Sequence, residues 1–80
     1  MTSEQAWRVV QVAFRGAAEL QELIAFLKQH CTADEYKSYS MGIGAAIDAI
    51  NVQLLNRVLL EHPELRTKIE SDIAKFGRVT

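Results

Sequence analysis

SYSMGIGAAIDAI, residues 38 to 50, holds two glycines, three alanines, two serines and a single acid, with no proline and no basic residue. Three structures compete for it: a phosphate-gripping glycine loop, a membrane segment, and a helix that a neighbour approaches closely. GIGAAI begins like a dinucleotide fingerprint. Yet Ile47 stands where the third glycine is needed, no alternating strand pattern precedes it, and no lysine follows to suit a Walker loop. The longest apolar stretch, Met41 to Leu60, contains Asp48, Asn51, Gln53, Asn56 and Arg57. An Asp or Arg at a bilayer centre costs about 2.5 to 3.5 kcal/mol on insertion scales, so a transmembrane span is not expected. Helix remains. Read so, Ser38, Gly42, Ala45, Ala46 and Ala49 form a broad strip of very small side chains. Glycine inside a helix costs about 1 kcal/mol relative to alanine, so two of them in one turn imply close packing that compensates. Either a partner helix of the same chain fills the strip, or another molecule does.

The flanking sequence extends the helical pattern. Thr2 followed three residues later by Gln5 fits a capping box, and a first helix is expected over residues 3 to 29. Along it Val9, Ala13, Gly16, Leu20, Leu23 and Leu27 recur at steps of four and three, which places them on one face. TADE, residues 32 to 35, is a second capping box, and no proline interrupts from Asp34 to His62. A second helix is expected over 33 to 62, with Tyr36, Ile43, Ile47, Ile50 and Leu54 at heptad spacing. The tight turn makes the two helices antiparallel and pairs Leu27 with Tyr36, Leu20 with Ile43, Gly16 with Ile47, Ala13 with Ile50 and Val9 with Leu54. Pro63 opens a short third helix over 63 to 76, which Gly77 ends, with Leu65, Ile69, Ile73 and Phe76 as its apolar stripe. The fold class is all-α, a single domain of a long helical hairpin and a short C-terminal helix.

Length then bears on association. The chain has 80 residues, 49% of them hydrophobic and 24% charged, a balance suited to folding. A helix of nearly thirty residues is about 42 Å long, whereas a compact sphere of this chain would be about 30 Å across. The hairpin is therefore elongated. Opposite the Ile43, Ile47, Ile50 and Leu54 face lie Met41, Ala45, Val52, Leu55 and Leu59, and Trp7, Val10, Phe14 and Ala18 lie away from the seam of the first helix. Helices apolar on several sides are interior helices, and one short helix covers only one of these faces. The remainder exceeds the few hundred Å² that soluble monomers usually expose, so self-association is expected, most simply a two-fold dimer forming a four-helix bundle. The expected close-packing and interface residues are Gly16, Gly42, Ala45, Ala46, Ala49, Val52, Leu55 and Leu59.

Chemistry is thin by comparison. His30, Cys31, Asp34 and Glu35 gather at the hairpin tip, but their spacing matches no zinc pattern, and neither histidine follows a glutamate by three residues as a helical di-iron site requires. Neighbouring His30 and Cys31 on a helix end point in different directions, and no catalytic set converges. No enzyme activity, metal or cofactor is expected. Asp48 is the sole charge between Lys37 and Arg57; it is either a helix-edge carboxylate or an acid beside Gly44 in a ligand pocket walled by Phe14 or Trp7. Asn51, Gln53 and Asn56 suit the fixing of register across a bundle interface. Nine basic against ten acidic residues give a formal charge of -1, and Arg66, Lys68, Lys75 and Arg78 are interleaved with Glu64, Glu70 and Asp72, so nucleic acid is not an expected partner. The opening MTSEQAWRVV lacks the apolar run of a signal peptide, and the one cysteine forms no internal disulfide, so a cytoplasmic location is expected.

Glu35, Tyr36, Leu54, Leu55 and EHPEL, residues 61 to 65, give residues 34 to 66 a likeness. The stretch resembles short uncharacterised bacterial all-helical proteins in which a long helix ends in a similar His-Pro turn. The resemblance implies an all-α fold and a bacterial origin, and brings no assigned activity, cofactor or catalytic residue. The expectation from the residues is thus a homo-oligomeric interaction module, an adaptor or accessory subunit, whose partner is itself or another protein; a ligand-binding or sensory bundle with its pocket near Gly42, Gly44 and Asp48 is the alternative.

Overall fold

A computed structural model describes residues 1 to 80 as an all-α chain. Helix α1 spans Ser3–His30, α2 spans Ala33–Glu61 with an altered turn at Asn51–Leu55, and α3 spans Leu65–Phe76. Both capping boxes form as their sequences dictate. The Gln5 N–H donates to the Thr2 hydroxyl at 3.1 Å while the Thr2 N–H donates to the Gln5 side chain at 2.9 Å. Thr32 and Glu35 repeat the exchange at 3.2 and 2.9 Å. Each box satisfies two backbone donors that a helix start otherwise leaves free. Helix α3 begins two residues later than expected, because Pro63 and Glu64 form the turn that reverses the chain. It ends at Gly77, whose φ of 71° is a left-handed cap that side chains with a Cβ rarely adopt.

The altered turn sets which residues of α2 face inward. Within Asn51–Leu55 the hydrogen bonds lengthen by one residue, the Asn56 N–H reaching back to the Asn51 carbonyl. Such a π turn accommodates one extra residue, so everything beyond it rotates by about 100° relative to an unbroken helix. Here the heptad reading is corrected: Leu54, placed on the inward face near Val9, does line one groove with it but is 44% exposed, and Leu55, 8% exposed, is the residue in the core. The cause is in the sequence. Continued without the extra residue, the series Ile43, Ile47, Ile50 and Leu54 would turn Arg57 and Glu61 inward; with it, Leu55 and Val58 take the places of Leu54 and Arg57.

The core lies at one end. Ala6, Trp7, Val10 and Ala13 of α1, Leu55 and Val58 of α2 and Leu65 of α3 form a single buried cluster, with Val9, Phe14, Ile50, Leu59, Ile69 and Val79 packed against it. Helix α3 thus covers the Trp7 and Val10 face of α1, one of the surfaces that needed cover. Lys68 of α3 lays its ammonium over the Trp7 ring at 4.3 Å. Ser3 donates to Glu64 at 2.9 Å, and Gln11 to the Thr80 carbonyl at 2.9 Å, so both ends of the α3 segment are tied to α1. The backbone N–H of Glu64 itself, then the Ser3 hydroxyl, with His62 beside them, hold the Glu64 carboxyl below its ordinary range.

Beyond this base α1 and α2 project as a two-helix arm. Leu27 and Ile43 are the only buried residues between positions 14 and 54. The molecule measures 45 × 25 × 15 Å with a radius of gyration of 14.8 Å, against about 12 Å for a compact chain of this length. The long axis is set by α1, whose 28 residues span about 42 Å.

Candidate interaction surface

The side chains of the arm divide into those wholly or partly buried and a larger set exposed to solvent. Gly42, Ala45, Ala46, Ala49 and Val52, all expected at a close contact, are exposed, and so are Gly44 and Asp48. A Cβ placed on Gly16, Gly42 or Gly44 would meet no atom within 4 Å. The possibility that a helix of the same chain fills the strip is therefore overturned, as is the tight pairing of Gly16 with Ile47. The reason is rotational: Ile43, Ile47 and Ile50 turn toward α1, which carries the small residues of α2 to the far side.

Two residues of the expected interface behave differently. Leu55 is in the chain's own core and Leu59 packs half-buried against it, since the π turn swings both inward. The suggested ligand pocket does not assemble either. Phe14 lines an open groove of about 710 Å³ with Ala18, Ile73 and Val79, between α1 and the tail after α3. Trp7 is buried under Lys68, and Gly44 and Asp48 face solvent on the arm. The helix spacing that separates these groups in α1 and α2 leaves no wall between them.

At the tip, Glu35 is turned back on Thr32, whose backbone N–H, followed by its hydroxyl, holds the carboxyl below its ordinary range. His30 stacks on Phe26 with ring centroids 4.5 Å apart, and Cys31 is a half-buried free thiol. No group of three or more His, Cys, Asp or Glu side chains gathers in the chain.

Several large apolar side chains are exposed instead. Leu23, Phe26, Tyr39, Met41, Val52 and Leu54 all stand in solvent along the arm, with Leu60 83% exposed nearer the base. No family model, curated protein or solved structure matches the chain. The accessible surface is 5865 Å², whereas a compact protein of 9.0 kDa exposes about 4,900 Å². The excess of about 1,000 Å² is larger than the share of about 800 Å² that each partner contributes to a standard interface.

Helix α2, little of it buried, is also long and apolar enough to cross a membrane, by length and composition alone. Sequence reasoning missed Phe26 and Tyr39 as exposed aromatics. Phe26 lies off the α1 seam by the same periodicity that placed Leu23 and Leu27, so the signal was present in the spacing.

Proposed function

We propose that this chain is a small homo-oligomeric interaction module, an adaptor or accessory subunit, in which α1 and α2 form an antiparallel hairpin and two hairpins join as a four-helix bundle. One observation carries it: the arm buries only Leu27 and Ile43 while the chain exposes about 1,000 Å² more than its mass warrants. Two bare helices in water have little to hold them, because helical stability in proteins comes mostly from packing an apolar face. A second arm supplies that packing, and the base cluster leaves each protomer able to fold its own end. The surface is poor in charge between Lys37 and Arg57, as the centre of a protein interface is. The same sparseness of charge suits lipid, but Asp48, Asn51, Gln53 and Asn56 at mid-helix favour a protein partner that leaves polar groups at its rim.

Equilibrium sedimentation at micromolar concentration decides the matter. The expected mass is twice the 9.0 kDa of the chain. A single-chain mass across that range overturns the proposal, and flotation of the monomer with phosphatidylcholine vesicles would assign the face to lipid.

A further inference from the structure

The outward face of α2 has an internal symmetry that fixes how a second copy sits on it. Asp34, Ser38, Gly42, Ala45, Ala46, Ala49, Gln53 and Arg57 are all exposed. Their spacings, four, four, three, one, three, four and four, read the same from either end. They share one side of the helix, and the π turn at Asn51–Leu55 is what brings Arg57 round to it. Without the extra residue, Arg57 would continue the inward heptad and the symmetry would be lost.

We infer that two copies pair through this face, α2 against α2 and antiparallel, about a two-fold axis between Ala45 and Ala46. This pairing rests on the self-association proposed above. An isologous two-fold contact requires the face to complement itself when turned end for end. Turned about that axis, Asp34 meets Arg57, Ser38 meets Gln53, Gly42 meets Ala49 and Ala45 meets Ala46. Opposite charges meet at both ends, a hydroxyl meets an amide inside them, and the smallest side chains meet at the centre. Neither Asp34 nor Arg57 has an ion-pair partner within its own chain, where the only such contact is His62 with Glu64 at 3.3 Å. Nothing in the chain occupies the space a Cβ on Gly42 would take, so the backbones are free to approach there. Met41 and Val52, exposed beside the strip, meet near the axis as its apolar flank. A parallel pairing sets Asp34 against Asp34 and Arg57 against Arg57, with like charges at both ends, which disfavours it.

Charge reversal tests the register. Asp34→Arg and Arg57→Asp are each expected to weaken dimerisation about tenfold, since each turns two opposite-charge contacts into like-charge ones. The double variant, Asp34→Arg with Arg57→Asp, restores both pairs and is expected to recover the wild-type dissociation constant within about threefold. Far-UV circular dichroism of each variant checks that the exposed substitutions leave the helices intact. Disulfide trapping gives an independent readout in a Cys31→Ser background. Ala45→Cys cross-links to itself near the axis; Asp34→Cys does not, but links to Arg57→Cys when the two are mixed. A dimer that is indifferent to both reversals, or one in which Asp34→Cys links to itself, overturns this pairing while leaving self-association standing. A monomer at every concentration overturns both.

Discussion

Gly42 and Gly44 sit two residues apart on the same helix, yet the proposed pairing gives them different surroundings. In the single chain both are alike: regular helical backbone, exposed, with open space where a Cβ would go. Gly44 lies off the symmetric face of α2, so Gly44→Ala adds helix propensity and removes nothing. It is expected to stabilise the fold by about 1 kcal/mol. In a domain of this size that raises Tm by about 4 to 8 °C, with no change in mass by sedimentation. Gly42 lies on the face, so Gly42→Leu is expected to leave the chain folded but to hold the two helices apart. Overpacking of a close contact costs about 1 to 3 kcal/mol, which makes the dimer weaker by about five- to 150-fold. Equal behaviour of the two glycines in both measurements would remove the helix face from the account. The sequence placed these glycines in a helix and implied a neighbour. It left open whose helix the neighbour was, because a strip of small side chains fits any apolar ridge.

At the scale of the element, helix starts were legible because a capping box is a local exchange between residues three apart, as Thr2 with Gln5 and Thr32 with Glu35 show. The π turn was not, because a heptad count assumes one unbroken period. Its trace was nonetheless present: Arg57 and Glu61 fall where the inward series Ile43, Ile47 and Ile50 should continue, while Leu55 and Val58 stand one position later. A one-residue shift of apolar phase inside a proline-free helix marks an accommodated extra residue. The π turn therefore makes an unusual deletion tolerable. Removing Gln53 is expected to convert the turn to regular helix and keep both flanking registers, with helix content and a cooperative melt preserved. Removing Ala46 instead rotates Ile47 and Ile50, which lie between the deletion and the π turn, by about 100° away from α1, even where the turn relaxes and keeps Leu55 and Val58 on the base. Full exposure of such a side chain costs about 1.5 to 3 kcal/mol, a large share of the stability of a small domain, so the Ala46 deletion should melt at a clearly lower temperature than the Gln53 deletion. Circular dichroism on the two deletions distinguishes them, and the reverse order of damage would mean that the turn is not an insertion in the helical phase.

At the scale of the whole molecule, the chain divides by how its parts are held. The base is closed by its own residues: Val10 is fully buried, Trp7 is covered by Lys68, and the C-terminal Thr80 is tied back to Gln11 and Asp72. The arm has no such cover, and its helices pack only on each other. Local opening follows buried apolar contact, so in the free chain the arm should open at a far lower free energy than the base. A partner that binds only the closed arm stabilises it by mass action, which makes its protection depend on concentration. Amide hydrogen exchange should then show residues 17 to 29 and 36 to 50 slowing several-fold as the protein is raised through its dimer dissociation constant. Ala6–Ala13 and the stretch from Leu55 to Leu65 should change far less, since their cover is intramolecular. Uniform protection along α1 at all concentrations would mean the arm is stable alone. The excess surface would then be a property of shape, not a site of assembly.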